Sequence, residues 1–422
     1  MKLINADSND FSKLIDARND DIAPDNLRAT VSEMISDVRK NGDAALCYYT
    51  KRFDKYNLSP QKIRLSGNEL DVDCEKELID ALIQASENIR SYHEKQKRKE
   101  WFSENDDGAV LGEIIRPVKR AGLYVPAGTA PLVSTVLMTV IPAQVAGVEE
   151  ICVVTPPDQN GNVNPGILAA CEICGIKEIY RLGSAWAIAA LALGTDSVEK
   201  VDVIAGPGNR FVTEAKRQLY GYVGIDLIAG PSESLIIADD SANPKWVAAD
   251  ILSQAEHAGS TTFLICDSPA VFDLIETEIN NLLETILTAD SLKKSVEENL
   301  TAVLVDSISD SAEVANKIAP EHLQIITKEN QKILDNIRNA GAVFLGSYSP
   351  VPLGDFCAGP SHVLPTACAA TFMSGLSTDT FIKRMGVINY SEKSFDKINK
   401  TMQIIAEKEQ LPAHKFTAKV RE

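Results

Sequence analysis

From about residue 148 the chain alternates short apolar runs with helical segments, and this alternation narrows the possible folds more than any other feature. Ile151–Thr155 reads as a buried strand, Pro165–Cys174 as a helix, Glu178–Leu182 as a strand and Ala185–Leu193 as a helix. Val201–Ala205 and Ile225–Ala229 read as the next strands, with a helix from Phe211 to Tyr220 between them. A helix between two strands returns the chain to the same end of the sheet, so such strands pair in parallel. The pattern repeats through Ser234–Ala238, Thr262–Cys266, Ala302–Val305, Gln324–Ile326 and Ala342–Leu345, with helices at 245–257 and 330–339. Two α/β layers are expected, roughly 127–234 and 235–375. Upstream, 27–56 and 75–99 have helical spacing. In the second of these, Leu78, Leu82, Ala85 and Ile89 recur on one face. These N-terminal helices are expected to pack on the second layer. Residues 394–407 read as a last helix leading into a polar tail.

Charge and cysteine usage exclude several classes. A formal charge of -17 repels phosphate backbones, so nucleic acid is not an expected partner. The start of the chain turns acidic at Asp7 and shows no apolar core with a cleavage site, so no signal peptide is read. The most apolar stretch, near 132–148, is interrupted by Pro142 and Gln144, so no membrane span is expected. The eight cysteines are scattered, and Cys171 and Cys174 form the one CxxC. Without a second pair at zinc-ribbon spacing, these two read as small buried residues at a helix end. A reduced, cytoplasmic setting fits.

Five histidines are available for chemistry. His93 lies among charged neighbours and reads as a solvated surface residue. Gln254 and His257 stand three apart on an expected helix and so share a face. That spacing suits a metal, and equally suits ordinary polar groups at a helix end. Asp355 sits in a loop rich in Gly and Pro, either displayed for function or capping a turn. Glu321 and His322 are adjacent. They could supply two bases of different pKa for stepwise proton removal, or form a salt-bridged surface pair. For a cofactor, Gly206-Pro-Gly208-Asn209 follows a strand and opens a helix, which suits a phosphate. Phe211 occupies the third glycine position, so the dinucleotide fingerprint is incomplete. Tyr124–Pro131 and Ile228–Glu233 are loops of similar composition.

Seven segments in this order are diagnostic together: Gly122–Met138, Val201–Asn209, Ala229–Glu233, Ser253–His257, Ala319–Leu323, Gly354–Thr366 and Glu409–His414. On them the sequence resembles the histidinol dehydrogenase family over nearly its whole length. The resemblance implies two Rossmann-like βαβ domains with a helical N-terminal segment and a C-terminal tail domain. The boundaries it suggests are an N-terminal arm at 1–20 and a discontinuous main domain at 21–126 and 235–375. An inserted NAD-side domain would span 127–234, and a tail exchanged across a homodimer 376–422. It further implies one zinc per subunit, held by Gln254, His257 and Asp355, with His414 reaching in from the other subunit. NAD contacts carry over to Tyr124 and Asn209. Contacts to L-histidinol carry over to Ser232, His322 and Glu409, with Gln254, His257, Asp355 and His414 also touching substrate. His322 would take the alcohol proton as hydride leaves, and Glu321 would activate water at the aldehyde stage. His362 is expected to make a structural hydrogen bond.

The chain departs from the family at Gly183-Ser-Ala-Trp186, where the family's Gly-Ala-Gln places an NAD-contacting amide. Trp186 is expected to stack on a cofactor ring, which an indole can do without reproducing an amide's paired donor and acceptor. Ala127 replaces a common glycine, and Glu409-Gln-Leu-Pro replaces Glu-Gly-Leu-Asp with the spacing to His414 intact. Trp186 leaves open a family paralogue acting on another polar alcohol. A binding protein that senses histidinol, NAD or zinc is the other alternative. It predicts loss of the acid/base pair, and Glu321 and His322 are both retained.

Overall fold

The structure is a computed structural model, and it describes residues 2–19, 24–71, 73–127, 131–257, 259–286 and 289–422. The expected boundary at 20/21, and Gly128-Thr129-Ala130 of the first diagnostic segment, lie outside them. The strands are β1 (Lys2–Asn5), β2 (Trp101–Glu104), β3 (Val110–Pro117), β4 (Arg120–Tyr124), β5 (Glu150–Thr155), β6 (Ile179–Arg181) and β7 (Val203–Ala205). They continue as β8 (Gly224–Ile225), β9 (Glu233–Ala238), β10 (Thr261–Cys266), β11 (Leu300–Leu304), β12 (His322–Ile326), β13 (Ala342–Leu345) and β14 (Ile382–Asn389). Contacts divide the chain into two compact units, Met1–Gln96 with Lys119–Phe381, and Lys97–Val118 with Ile382–Glu422.

The first unit holds both parallel sheets. One has the order β6-β5-β4-β7-β8, the other β1-β11-β10-β9-β12-β13. In each, the chain builds outward on one side of a central strand, then crosses to the other side. The order therefore reverses between β4 and β7, and again between β9 and β12. The carboxyl ends at such a reversal form the crevice where ligands of open α/β sheets gather. At the second reversal the chain's own polar groups meet. Asp239, just past β9, accepts from Lys328 N at 2.9 Å and Ser241 N at 2.9 Å, and Lys328 Nζ pairs with Asp240 at 2.6 Å.

β4 is central yet was not expected as a strand. Its first residue, Arg120, is buried by pairing with Glu150, at 3.2 Å, and with Glu178. β8 is two residues long against an expected five-residue run. The helix expected at 330–339 closes at Leu334.

The packing of the N-terminal helices corrects the expectation. Asp25–Asn41 and Asp43–Tyr49 do not lie on the second layer. Leu27, Val31, Met34 and Leu46 share a core with Ile188, Leu191, Val212 and Ala215 of the first layer. Helix Lys76–Glu94 corrects the reading of His93. Leu82, Ala85 and Ile89 are buried, and the next position on that stripe is His93, which is 0% exposed. Its Nδ1 meets Gln96 Oε1 at 2.7 Å, and burial lowers its pKa. Cys171 and Cys174 are free, buried thiols at the end of helix Pro165–Ile173, as read. Among the described residues no helix is long and apolar enough to cross a membrane.

In the second unit β14, β3 and β2 form an antiparallel sheet, with Ile382 opposite Pro117 and Asn389 opposite Val110. Helix Glu392–Lys408 follows, anchored by Ser391 and Ser394 hydroxyls that each donate to Asp107 O at 2.6 Å. The expected polar tail is instead a second helix, Pro412–Lys419, with proline in its first turn. Phe102, Ile388, Ile405, Phe416 and Val420 of this unit are exposed.

Candidate active site

The acid/base candidates lie at the amino ends of the strands of the six-stranded sheet. β12 begins at His322, whose backbone pairs with Ser234 of β9 and Ala342 of β13. Gly341 permits this closeness: a Cβ there would stand 2.5 Å from Glu321 O. Glu321 and His322 are both buried, so the reading of them as a surface salt bridge does not hold. His322 Nδ1 lies 3.3 Å from Glu233 O and 3.7 Å from Glu321 Oε2, and its Nε2 lies 3.4 Å from Asp355 Oδ1. Glu321 Oε2 accepts from Glu233 N at 2.9 Å. Ser232 directly precedes Glu233, so the third and fifth diagnostic segments meet at Glu233.

Burial pushes the Glu321 carboxyl up to about 7, with the His322 charge and the Glu233 N–H opposing it. Burial alone would lower His322, but the Glu321 and Asp355 carboxylates more than offset this and raise it to about 9. Asp355 moves the other way. Burial would raise it, yet the His322 imidazole in contact, with His362 and His257 beyond, holds it below the usual carboxylate range.

Asp355 lies on a short helix, Val351–Phe356, where a loop was expected. His362 fixes that turn: Nδ1 meets Asp355 O at 2.8 Å and Nε2 meets Thr135 Oγ1 at 3.0 Å. Ser361 Oγ donates to Met138 O at 3.0 Å. The structural role expected of His362 is thus the one observed, and Thr135, on helix Val133–Ala146, is its unforeseen partner. A cavity of about 610 Å³ adjoins this cluster, lined by His322, Phe344, Asp355, His362, Leu364 and Gln96.

Helix Pro244–Ala255 carries Gln254, which is 1% exposed, and its Nε2 is buried without a hydrogen-bond partner. His257 lies just past the helix, exposed, with its N–H donating to Gln254 O at 3.2 Å. Among the described residues no group of three or more His, Cys, Asp or Glu is placed to hold a metal. The expected set supplies only His257 and Asp355 of those types from this unit. Glu409 and His414 belong to the second unit, exposed, at the end of helix Glu392–Lys408 and on helix Pro412–Lys419.

The cofactor candidates lie at the first strand reversal. Tyr124 ends β4, and its buried hydroxyl accepts from Ser184 N at 3.0 Å. Gly206 follows β7 with φ +119°, and a Cβ there would stand 2.1 Å from Tyr124 O. Asn209 caps helix Arg210–Leu219, accepting from Phe211 N at 2.9 Å and Val212 N at 3.2 Å. Behind the loop, buried Lys216 donates to Gly206 O at 2.5 Å and to Asp226 at 2.7 Å, and Asp226 accepts from Gly206 N at 2.7 Å.

Known proteins match the chain over nearly its whole length. The histidinol dehydrogenase family model matches residues 17–422. A histidinol dehydrogenase of Clostridium acetobutylicum is 45% identical over 93% of this chain and 91% of its own. One of Bacillus subtilis is 44% identical over 96% and 95%. The crystal structure of the Elizabethkingia anophelis histidinol dehydrogenase superposes with a TM-score of 0.94 at 38% identity, covering 100% of this chain and 98% of that one. The chain belongs to the histidinol dehydrogenase family. It is an oxidoreductase of α/β fold.

One expectation within the histidinol dehydrogenase pattern is corrected. Trp186 does not face a cofactor. It is 2% exposed, stacked on Tyr49 at 5.8 Å and Phe53 at 5.5 Å, because helix Ser184–Leu193 turns that face to the N-terminal helices. Trp186→Phe is expected to cost about 1–3 kcal/mol of stability, read from urea unfolding. Weakened NAD binding at unchanged stability would contradict the core role.

Proposed function

We propose that the chain oxidises L-histidinol through L-histidinaldehyde to L-histidine, passing two hydrides to NAD and using one zinc per subunit. The observation that carries this is the buried Glu321–His322 pair at one end of a sheet, with His322 Nε2 3.4 Å from Asp355. A buried carboxyl and a buried imidazole with separate pKa values suit two successive deprotonations.

The chain's own residues fit zinc. Gln254 is buried on helix Pro244–Ala255, and its carboxamide offers an oxygen to a metal. Asp355 oxygen and His257 nitrogen are usual zinc donors, Gln254 would add a neutral amide oxygen, and the partner subunit's His414 would complete the set. When bound, zinc would fix the imidazole and amine of the substrate and share the Asp355 carboxylate, loosening that carboxylate's hold on a protonated His322. His322 then accepts the alcohol proton as hydride departs. Glu321, held by Glu233 N, takes a proton from the water that adds to the aldehyde. Ser232 and the partner subunit's Glu409 orient the substrate. Tyr124 and Asn209 flank NAD at the first strand reversal, the usual place for a dinucleotide.

A homodimer follows from the need for His414, and five large apolar side chains exposed on the second unit, Phe102, Ile388, Ile405, Phe416 and Val420, are in keeping with it. The paralogue reading rested on Trp186. With that ring in the core, its support is gone.

The test is NADH production from L-histidinol by the purified protein, beside a chelated sample. The expected result is two NADH per histidinol, lost on chelation and restored by zinc. One NADH per histidinol would remove the aldehyde step, and full activity after chelation would remove the metal.

A further inference from the structure

A dinucleotide on a parallel sheet lays its adenosine half over the second strand of the first βαβ unit, where an acidic side chain takes the ribose hydroxyls. Here that strand is β5, and its carboxyl end reads Thr155-Pro156-Pro157. The next residue, Asp158, is already engaged. Its Oδ1 accepts from Asn160 N and Asn162 N at 2.8 Å each, and its Oδ2 from Asn162 Nδ2 at 3.3 Å.

A carboxylate reaches the same place from another part of the chain. Asp54 ends the π-helical turn Thr50–Asp54. Its oxygens lie 3.5 and 3.6 Å from where a Cβ on Gly183 would stand, and Pro156 Cβ lies 2.9 Å from that point. Asp54 therefore sits where the chain leaves β5 and β6, on the side of the sheet that carries Tyr124. Its Oδ2 is buried without a hydrogen-bond partner, and burial pushes the carboxyl up to about 7. A ligand bringing hydroxyl donors would supply what the fold leaves out. The turn is also held in place, since Phe53 stacks on Trp186 at 5.5 Å and Trp186 on Tyr49 at 5.8 Å.

We propose that Asp54 reads the adenosine ribose of the dinucleotide, accepting from its 2′- and 3′-hydroxyls and excluding a 2′-phosphate. The inference rests on the NAD reading given above and names the residue that sets the choice between NAD and its phosphorylated form. A carboxylate beside a phosphate dianion is repulsive, and more so where water is partly excluded.

Isothermal titration of the full-length protein with NAD and with NADP tests this without any turnover. The unaltered chain should prefer NAD. Asp54→Asn should lose roughly 10- to 100-fold in NAD affinity, the scale of hydrogen bonds to a charged group, and should bring NADP close to NAD. Asp54→Glu should keep the preference for NAD. An Asp54→Asn protein with the original NAD-to-NADP ratio overturns the inference while leaving the NAD reading in place. An unaltered protein that binds neither dinucleotide removes both. Fragments give the same answer with no substitution: ADP-ribose should bind the unaltered chain at least about tenfold more tightly than its 2′-phosphate. Equal binding of the two fragments overturns the inference even if the Asp54→Asn protein does not fold.

Discussion

Replacing His322 with glutamine is expected to slow histidinol oxidation by roughly 10²–10⁴-fold, with KM for histidinol changed far less. The expectation comes from position as much as residue type. The imidazole is buried, with Nδ1 3.3 Å from Glu233 O and Nε2 3.4 Å from Asp355. Glutamine roughly keeps the volume and some of the polarity but cannot take a proton. Glu321→Gln supplies the contrast. It should let the first hydride leave and stall the second, so that a single turnover yields one NADH and then a slow phase. A His322→Gln protein that retains more than about a tenth of the original rate would sink the base assignment.

The second large effect is on stability. Lys216→Met is expected to cost about 3–5 kcal/mol, because it leaves Asp226 as a buried charge without its partner. The Lys216 and Asp226 side chains are 4% and 0% exposed and lie 2.7 Å apart. Asp226 also accepts from Gly206 N at 2.7 Å, so the pair supports the loop that carries Asn209. Adding Asp226→Asn should recover much of the loss, since an amide can still accept from Gly206 and carries no charge. Urea unfolding of the three variants reads this out. A loss below about 1 kcal/mol for Lys216→Met would place the pair among weak ion pairs.

Much of this fold could be read from the sequence because parallel strands are buried on both faces and appear as unbroken apolar runs. β5, β9, β10 and β11 are of that kind. β4 escaped notice since it opens with an arginine, and only the tertiary fold brings Glu150 and Glu178 to it. β2, β3 and β14 escaped because each mixes charged and apolar residues, and β14 pairs with residues some 270 positions earlier in sequence. The N-terminal helices were assigned the wrong surface because periodicity shows that a helix has an apolar face, not what covers it. His93 was misjudged from its charged neighbours, although its spacing of four from Ile89 continues the buried stripe. At the site, the adjacent Glu321 and His322 were legible as chemistry. Their burial was not, because it depends on β9 and β13 closing over β12. Asp54 gave no signal at all: it read as one more polar residue near the end of a helical stretch.

The reversal of the six-stranded sheet, where Asp239 is held by the chain's own amides, bears on timing. Asp239 at that reversal is engaged by Lys328 N, and on the proposed reading the berth for the dinucleotide lies at the five-stranded sheet. On the proposed reaction, two NAD molecules must then use that berth in turn. The first has to leave in reduced form before the second arrives, and the half-oxidised carbon must wait through the exchange without escaping. On that reading substrate would be held at the amino ends of one sheet and cofactor at the carboxyl ends of the other. That separation lets one tenant change while the other stays.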